Sequence, residues 1–462
     1  MIQVPAKNQT TEAQMQSTIK LTDPQMIGSR IRAFFSDEDI EMIARETGFV
    51  QRRSRLGGRG FLKAIVFGFM EQPKASLNQL AEVCQDGAVQ ISPQGIDQRI
   101  NSQSVVFLQR VFSYALQVFQ NEVALPLAIL KHFSAIYVVD SSVKRLPDEM
   151  QAKYAGCGGD GPKASLKLQV MFDFLRGNFH QVAVQAGRSA DQAYRDYLLQ
   201  LAPGSLTIVD LGYFCLDAFQ TIIARQAYFL CRYLYPTALL TPNGERMDLC
   251  SWLRDEKGNA LDVTIALGCQ SRHHLPCRLI ALRVLPSVAE QRRRKATERA
   301  RIHGTVPTRE YLFLLGWTLF LTNIPAQWLS LTQVALLYRV RWQIELIFKL
   351  WKSDCGLNAI GPWRSERILT ELYAKLIGAL LLQFLLAPQR IPEQQWANRE
   401  TSSVQVRLIL ARFASRLHQN ILNEPAFFSL LQQIFVLIDR FGLRQKRVRK
   451  PNLCHRLASA LA

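Results

Sequence analysis

Four residues between positions 338 and 352 have the types and the spacing to do phosphate chemistry. They are Tyr338, Arg341, Glu345 and Lys352, at offsets of three, seven and fourteen. No Gly or Pro interrupts residues 326–352, and Ser330-Leu-Thr-Gln333 offers a capping box at which a helix can start. At about 100° per residue the four side chains share one narrow arc, while Leu337, Ile344, Ile347, Phe348 and Trp351 fall on the neighbouring arc and can anchor the helix to a core. A carboxylate among a phenol, a guanidinium and an ammonium suits a place where a metal ion and phosphates meet, because Glu takes the cation while Arg and Lys take the polyanion. The plain alternative is a solvated helix face with an Arg341/Glu345 ion pair one turn apart.

The spacing Tyr-x2-Arg-x3-Glu-x6-Lys resembles the signature of the insertion-sequence-four family of bacterial DDE transposases. Gly316-Trp-Thr-Leu-Phe-Leu-Thr-Asn323 upstream and Trp351-Lys352-Ser353 at the end strengthen the likeness. The resemblance implies a ribonuclease-H-like α/β core in which Glu345 is the last of three metal-binding acids, so two aspartates should stand at strand ends upstream. Asp140 follows the apolar run 135–139, and Asp210 follows 206–209. Carboxylates at the ends of adjacent central strands can share a pocket. Three acids there repel one another unless a cation is present, which argues for Mg²⁺, with Mn²⁺ as a substitute. Asp210-Leu-Gly212-Tyr-Phe214 is similar to the family's second acidic motif, whereas Asp140 is followed by Ser141-Ser142 where relatives often carry a small residue and then Thr. Asp173, inside a strand, competes for the first position. The resemblance covers residues 140–352 and implies cut-and-paste DNA transposition. Water cuts the transposon ends, a hairpin forms, and the opened ends join target DNA. Tyr338, Arg341 and Lys352 would grip phosphates, and Trp317 would stack a flipped base. The rival readings are a nuclease or resolvase using the same acids, and a non-catalytic DNA-binding protein on a transposase scaffold.

The rest of the 462-residue chain must position these groups. Lys and Arg number 56 against 37 Asp and Glu, a net charge of +19 that favours a polyanionic partner: DNA, RNA or an acidic membrane. The resemblance implies double-stranded DNA at transposon ends and target sites. Hydrophobic content of 48% with 20% charged residues marks a folded chain. Nine scattered cysteines do not read as a disulfide framework, and His273-His274 near Cys269 and Cys277 forms the sole cluster resembling zinc ligands. No apolar signal segment opens the chain, and the longest greasy run, 376–387, is short for a bilayer and broken by Gln383. The expectation is a bacterial cytoplasmic protein, nucleoid-associated when bound to DNA, with no membrane contact and a homodimer in the synaptic complex.

The pattern predicts a loose tail over 1–30 and a helical DNA-binding domain over 31–131. Within that domain, 77–83 and 92–100 read as helix-turn-helix, with Gln94, Asp97, Gln98 and Arg99 on the recognition helix and Arg52, Arg53, Arg55 and Arg59 as phosphate contacts. The first part of the core spans 132–226, with a hairpin across Arg176-Gly177-Asn178 and a helical segment over 191–201. A β-rich insertion covers 227–322 and carries a basic helix around Arg292 to Arg301. The last core helix lies in 323–360, and a helical region over 361–462 ends in a basic tail of Arg444, Lys446, Arg447, Arg449 and Lys450.

Overall fold

The computed structural model describes residues 24–387 and 401–443, apart from 53–54, 123, 126, 270–271 and 362–363, together with 453 and 456–457. The basic tail and most of the expected loose N-terminus lie outside the described residues. Helix α1, Pro24–Ser36, buries Ile27 and Ile31, so residues 24–30 belong to the helical region and not to a tail. It is followed by α2 (Glu38–Glu46), α3 (Gly58–Glu71), α4 (Leu77–Asp86), α5 (Pro93–Arg99) and α6 (Ser102–Val118). Ser76 and Gln79 form a reciprocal capping box on α4, and Ser92 caps α5 through the Gly95 amide at 3.1 Å. Gly95, a poor helix former, is needed there: a Cβ would stand 2.8 Å from Ile91 Cγ1.

Nine strands make one mixed sheet in the order β3-β2-β1-β4-β5-β9-β8-β7-β6 among the described residues. Its central part is β1 (Ile136–Arg145), β2 (Ser165–Asp173), β3 (Asn178–Ala186), β4 (Leu206–Val209) and β5 (Tyr228–Arg232). β1 to β3 are antiparallel, while β4 and β5 run parallel to β1, consistent with the ribonuclease-H-like expectation. Helix α7 (Leu216–Ala224) connects β4 to β5. Two expectations change. Residues 191–201 form not a helix but two 3₁₀ turns, Asp191–Ala193 and Asp196–Gln200, because the Asp191 carboxylate is tied to Lys167 and Gln169 on β2. The strand at 228, assigned by pattern to the insertion, is the parallel partner of β4 and lies in the central sheet.

The stretch after Arg232 holds β6 (Leu239–Leu240), α8 (Leu249–Asp255), β7 (Ala260–Cys269), β8 (Arg272–Arg283), α9 (Pro286–Ile302) and α10 (Arg309–Leu314). It returns through β9 (Trp317–Thr322), which pairs with both β5 and β8, so this stretch extends the central sheet.

The signature segment is helical from Leu331 onward but not uniform. Helix α11 (Leu331–Leu337), capped as expected by Ser330 and Gln333, tightens into a 3₁₀ turn at Tyr338–Arg341. Helix α12 (Trp342–Lys349) follows and opens into a π turn at Leu350–Asp354. A tight turn puts i and i+3 in line, and a wide turn re-aims the residue it carries. Three more long helices follow among the described residues: α13 (Ser365–Leu386), α14 (Ser403–Asn420) and α15 (Glu424–Phe441). By length and composition α13 could cross a membrane, yet 94% of its apolar window is buried in the protein.

Strand alternation splits the sheet between two cores. Ile136, Val138, Leu206, Ile208 and Leu230 face the core shared with α1–α6, α12 and α13–α15, whereas Tyr137, Val139, Val209, Phe229 and Cys231 face α7 and the stretch after Arg232.

Candidate active site

Because β1 and β4 run parallel in the register Val139↔Val209, the next residues, Asp140 and Asp210, stand side by side. Asp210 follows the end of β4 as expected, but Asp140 lies within β1 rather than at its end, because that strand runs on to Arg145 paired with β2. Alternation turns both toward the face that carries α12. Asp140 Oδ1 accepts from the Ser141 amide at 2.8 Å, and Asp210 Oδ1 accepts from the Gly212 amide at 2.9 Å. Gly212 has a steric reason: a Cβ would lie 3.1 Å from Asp210 Oδ1 and 3.3 Å from Asp191 Oδ2.

Arg341 joins the helix to the sheet. Its guanidinium donates to Asp140 Oδ2 at 3.2 Å and to Glu345 Oε1 at 2.6 Å, with side-chain exposures of 14% for Arg341 and Asp140 and 35% for Glu345. The helix-surface ion pair of the plain reading thus exists, but it reaches a carboxylate 201 positions away. Burial, with Asp210 and Glu345 adding to it, pushes the Asp140 carboxyl up to about 6 against the lowering effects of the Ser141 amide and Arg341. Among the described residues no three His, Cys, Asp or Glu side chains are gathered closely enough to hold a metal ion as they stand. The donors nonetheless fit a hard divalent cation: they are all carboxylate oxygens, and their crowding is offset by one guanidinium.

The other expected residues are placed differently from one another. Tyr338 packs on Phe320 at a ring distance of 5.1 Å, and burial pushes its phenol up to about 12. Lys352 rides on the π turn above β1 and lines a small cavity with Ser142, Lys144, Trp351 and Asn358. Ser142 Oγ is buried there without a hydrogen-bond partner among the described residues. Trp317 opens β9 at the same end of the sheet as the acids, but it is 3% exposed and the Arg283 guanidinium lies 4.5 Å over its ring. Asp173 is used by the hairpin turn, accepting from the Leu175 amide and pairing with Arg176, and its partner in β1 is Tyr137, three residues before Asp140 and on the opposite face.

The zinc-like cluster lies partly outside the described residues. Cys277 is buried in β8 with its thiol pushed up by burial, and the side chains of Cys269 and His273 lie outside the described ones.

Sequence reading missed Arg232. The register Ile208↔Leu230 sets it level with Asp210 and on the same face, and its Nε is buried with no hydrogen-bond partner among the described residues. Its sequence signal was weak: Arg232 closes β5, but the apolar pattern runs on through Tyr233 and Leu234. Asp191, held against Lys167 at 2.9 Å beside Asp210, carried no comparable signal.

With Asp140 on β1, Asp210 just after β4 and Glu345 on α12 converging, comparison with known proteins decides the family. The profile described as the transposase DDE domain matches residues 131–381, more than half of the chain, and spans all three acids. The chain belongs to the transposase DDE-domain family. It is a DDE transposase, an enzyme that cuts and rejoins DNA, and members of the family generally use divalent metal ions. It is 27% identical over 444 residues to the transposase of insertion sequence IS231F from Bacillus thuringiensis subsp. israelensis, covering 91% of this chain and 92% of that one. To the transposase of IS1151 from Clostridium perfringens it is 25% identical over 449 residues, 91% of this chain and 93% of that one. A shorter match, 33% over 154 residues, links it to a transposase, InsL of IS186A, described as putative, from Escherichia coli (strain K12), covering 32% of this chain and 42% of that one. Among solved structures, a piggyBac transposase in a synaptic complex with hairpin DNA aligns over 93% of this transposase and 87% of that chain, at 10% identity and a TM-score of 0.45.

Proposed function

We propose that this transposase moves an insertion sequence by cut-and-paste, with Asp140, Asp210 and Glu345 as the acids that hold Mg²⁺, or Mn²⁺ in its place. The observation that carries the reading is the bridge from Arg341 to Asp140 and Glu345, with Asp210 in register beside them. When bound, the divalent cations would supply Lewis acidity for activating water or a 3′-hydroxyl and for stabilising the leaving oxygen. Arg341 now compensates two carboxylates whose charge a cation would otherwise balance. With those carboxylates engaged, its guanidinium is available to a phosphate oxygen, for which its planar fork is suited. Tyr338, kept protonated by burial, offers a hydroxyl donor beside it. Lys352 grips the neighbouring phosphate from the π turn, and Arg232 faces the same row from β5. Base stacking on Trp317 requires Arg283 to leave the ring it covers. The net charge of +19 serves DNA at the transposon ends and at the target. The protein acts in the bacterial cytoplasm on nucleoid DNA, as a homodimer holding two ends.

Incubating the purified protein with its own element's end DNA and Mg²⁺, then separating the products, tests this reading. Hairpinned ends followed by joined strands are expected. Nicks or resolved junctions without strand transfer would indicate a nuclease, and tight end binding without metal-dependent cutting would indicate a regulator.

A further inference from the structure

Past Asp140, β1 continues away from the acids with Ser142 and Lys144 on the same face. At about 3.3 Å per residue, Lys144 lies about 13 Å beyond Asp140. Lys144 and Asn358 line the small cavity beside Lys352, and both also line a groove of about 890 Å³, so the two share a wall. Arg145 and Arg364 border that groove, with Asp148 and Glu149 on its outer lip. Lys163 stands 3.6 Å from Asp148 and offsets its charge, leaving the groove a surplus of cations. Burial and the nearby Lys375 hold the Lys144 ammonium below its ordinary range, and an anion in the groove would relieve this.

The far end of the groove meets the helix read as the DNA-recognition element. Arg364 Nη2 donates to the Asp97 carbonyl at 2.6 Å, to Asp97 Oδ1 at 3.1 Å and to the Ile100 carbonyl at 2.7 Å, latching the C-terminal end of α5 to the start of α13. Asp97 is thereby taken from base reading, and Arg99 lies over the Phe49 ring at 5.6 Å. Gln94 and Gln98, one turn apart on α5, remain exposed, and a Gln can read adenine with two hydrogen bonds.

We infer that this groove holds the transposon-end strand between the scissile phosphate and the base pairs that α5 faces. Lys144 and Arg145 grip its phosphates, and Arg364 fixes the reading helix at a set distance from the acids. The inference rests on the reading of Asp140, Asp210 and Glu345 as the cutting site.

Equilibrium binding of the full-length protein in metal-free buffer tests it without requiring catalysis. Three DNAs are used: an end carrying its flank, a pre-cut end without flank, and a duplex of unrelated sequence. Arg145→Glu, at an exposed position, should weaken both end DNAs about tenfold and lower the slope of log affinity against log salt by about one or more, with Arg145→Lys close to wild type. Unchanged binding of the pre-cut end would overturn the inference. A loss confined to flank-carrying DNA would assign the groove to the donor flank, and a loss confined to the unrelated duplex would assign it to target DNA; either result overturns it. If wild type binds ends but cuts none, the reading of the acids fails while the groove measurement still stands.

Discussion

Lys375→Met should destabilise this transposase by about 5 kcal/mol, and removing its partner as well should restore most of that loss. Lys375 sits on α13 with 1% of its side chain exposed, 2.6 Å from Glu371 Oε1, itself 7% exposed, and it also donates to the Gly356 carbonyl at 2.8 Å. Deleting the ammonium leaves a buried carboxylate alone, which costs roughly 3–5 kcal/mol, and opens a buried carbonyl, which adds about 1 kcal/mol. That sum is comparable to the low end of whole-protein stabilities, roughly 5–15 kcal/mol. In Lys375→Met/Glu371→Leu only the Gly356 carbonyl is left unsatisfied, so about 1–2 kcal/mol should be lost. Gly356 has φ 73° and closes the turn that carries Lys352, and a Cβ there would meet Pro73 Cβ at 2.5 Å. The double variant should therefore fold yet process end DNA more slowly, because the support beneath Lys352 is loosened. Urea unfolding of the three proteins, with an end-cleavage time course on the double variant, reads both effects. A loss under about 1 kcal/mol in the single variant, or a double variant no more stable than the single, would refute the reasoning.

Lys352→Ala should weaken end binding and slow hairpin formation more than the first nick, with partial rescue by Lys352→Arg, which keeps charge but changes geometry; a gel resolving nicked, hairpinned and fully cut ends checks this, and unchanged hairpin yield would make Lys352 a solvated surface residue. His418 is held neutral, down to about 4, by burial and by Lys63 against the opposing Asp86, and its Nδ1 has no partner among the described residues. The unfolded chain takes up a proton near pH 6.5 that the fold refuses until about 4, so stability should fall as pH drops through that window, by up to about 3 kcal/mol. Urea melts at pH 7.5 and 4.5 should show a smaller acid loss in His418→Gln than in wild type.

The chemistry of this protein is legible in sequence where it is local. Asp140 and Asp210 declare themselves because an apolar run ends in each, although β1 itself continues beyond Asp140 to Arg145, and Glu345 because its helix carries Tyr338, Arg341 and Lys352 at fixed offsets. The capping boxes at Ser76 and Ser330 and the β2–β3 turn at Gly177 are equally local signals. What was hidden depends on pairing across distance. The parallel pairing of β5 with β4, which puts residues 228–232 in the central sheet, cannot be seen in those residues themselves. The latch from Arg364 to Asp97 spans 267 positions, and the bridge from Arg341 to Asp140 spans 201. Helical periodicity also hides where one turn tightens at Tyr338 and another widens at Leu350, although these turns aim the side chains that matter.

The central claim is that three acids form one metal-holding site, and cleavage of end DNA by Asp140→Asn, Asp210→Asn and Glu345→Gln in Mg²⁺ tests it most directly. Each substitution keeps size while removing one ligand charge, so each should abolish cutting while equilibrium binding of the same DNA persists. Near-wild-type cleavage by any one of the three variants would remove that residue from the site and contradict the account.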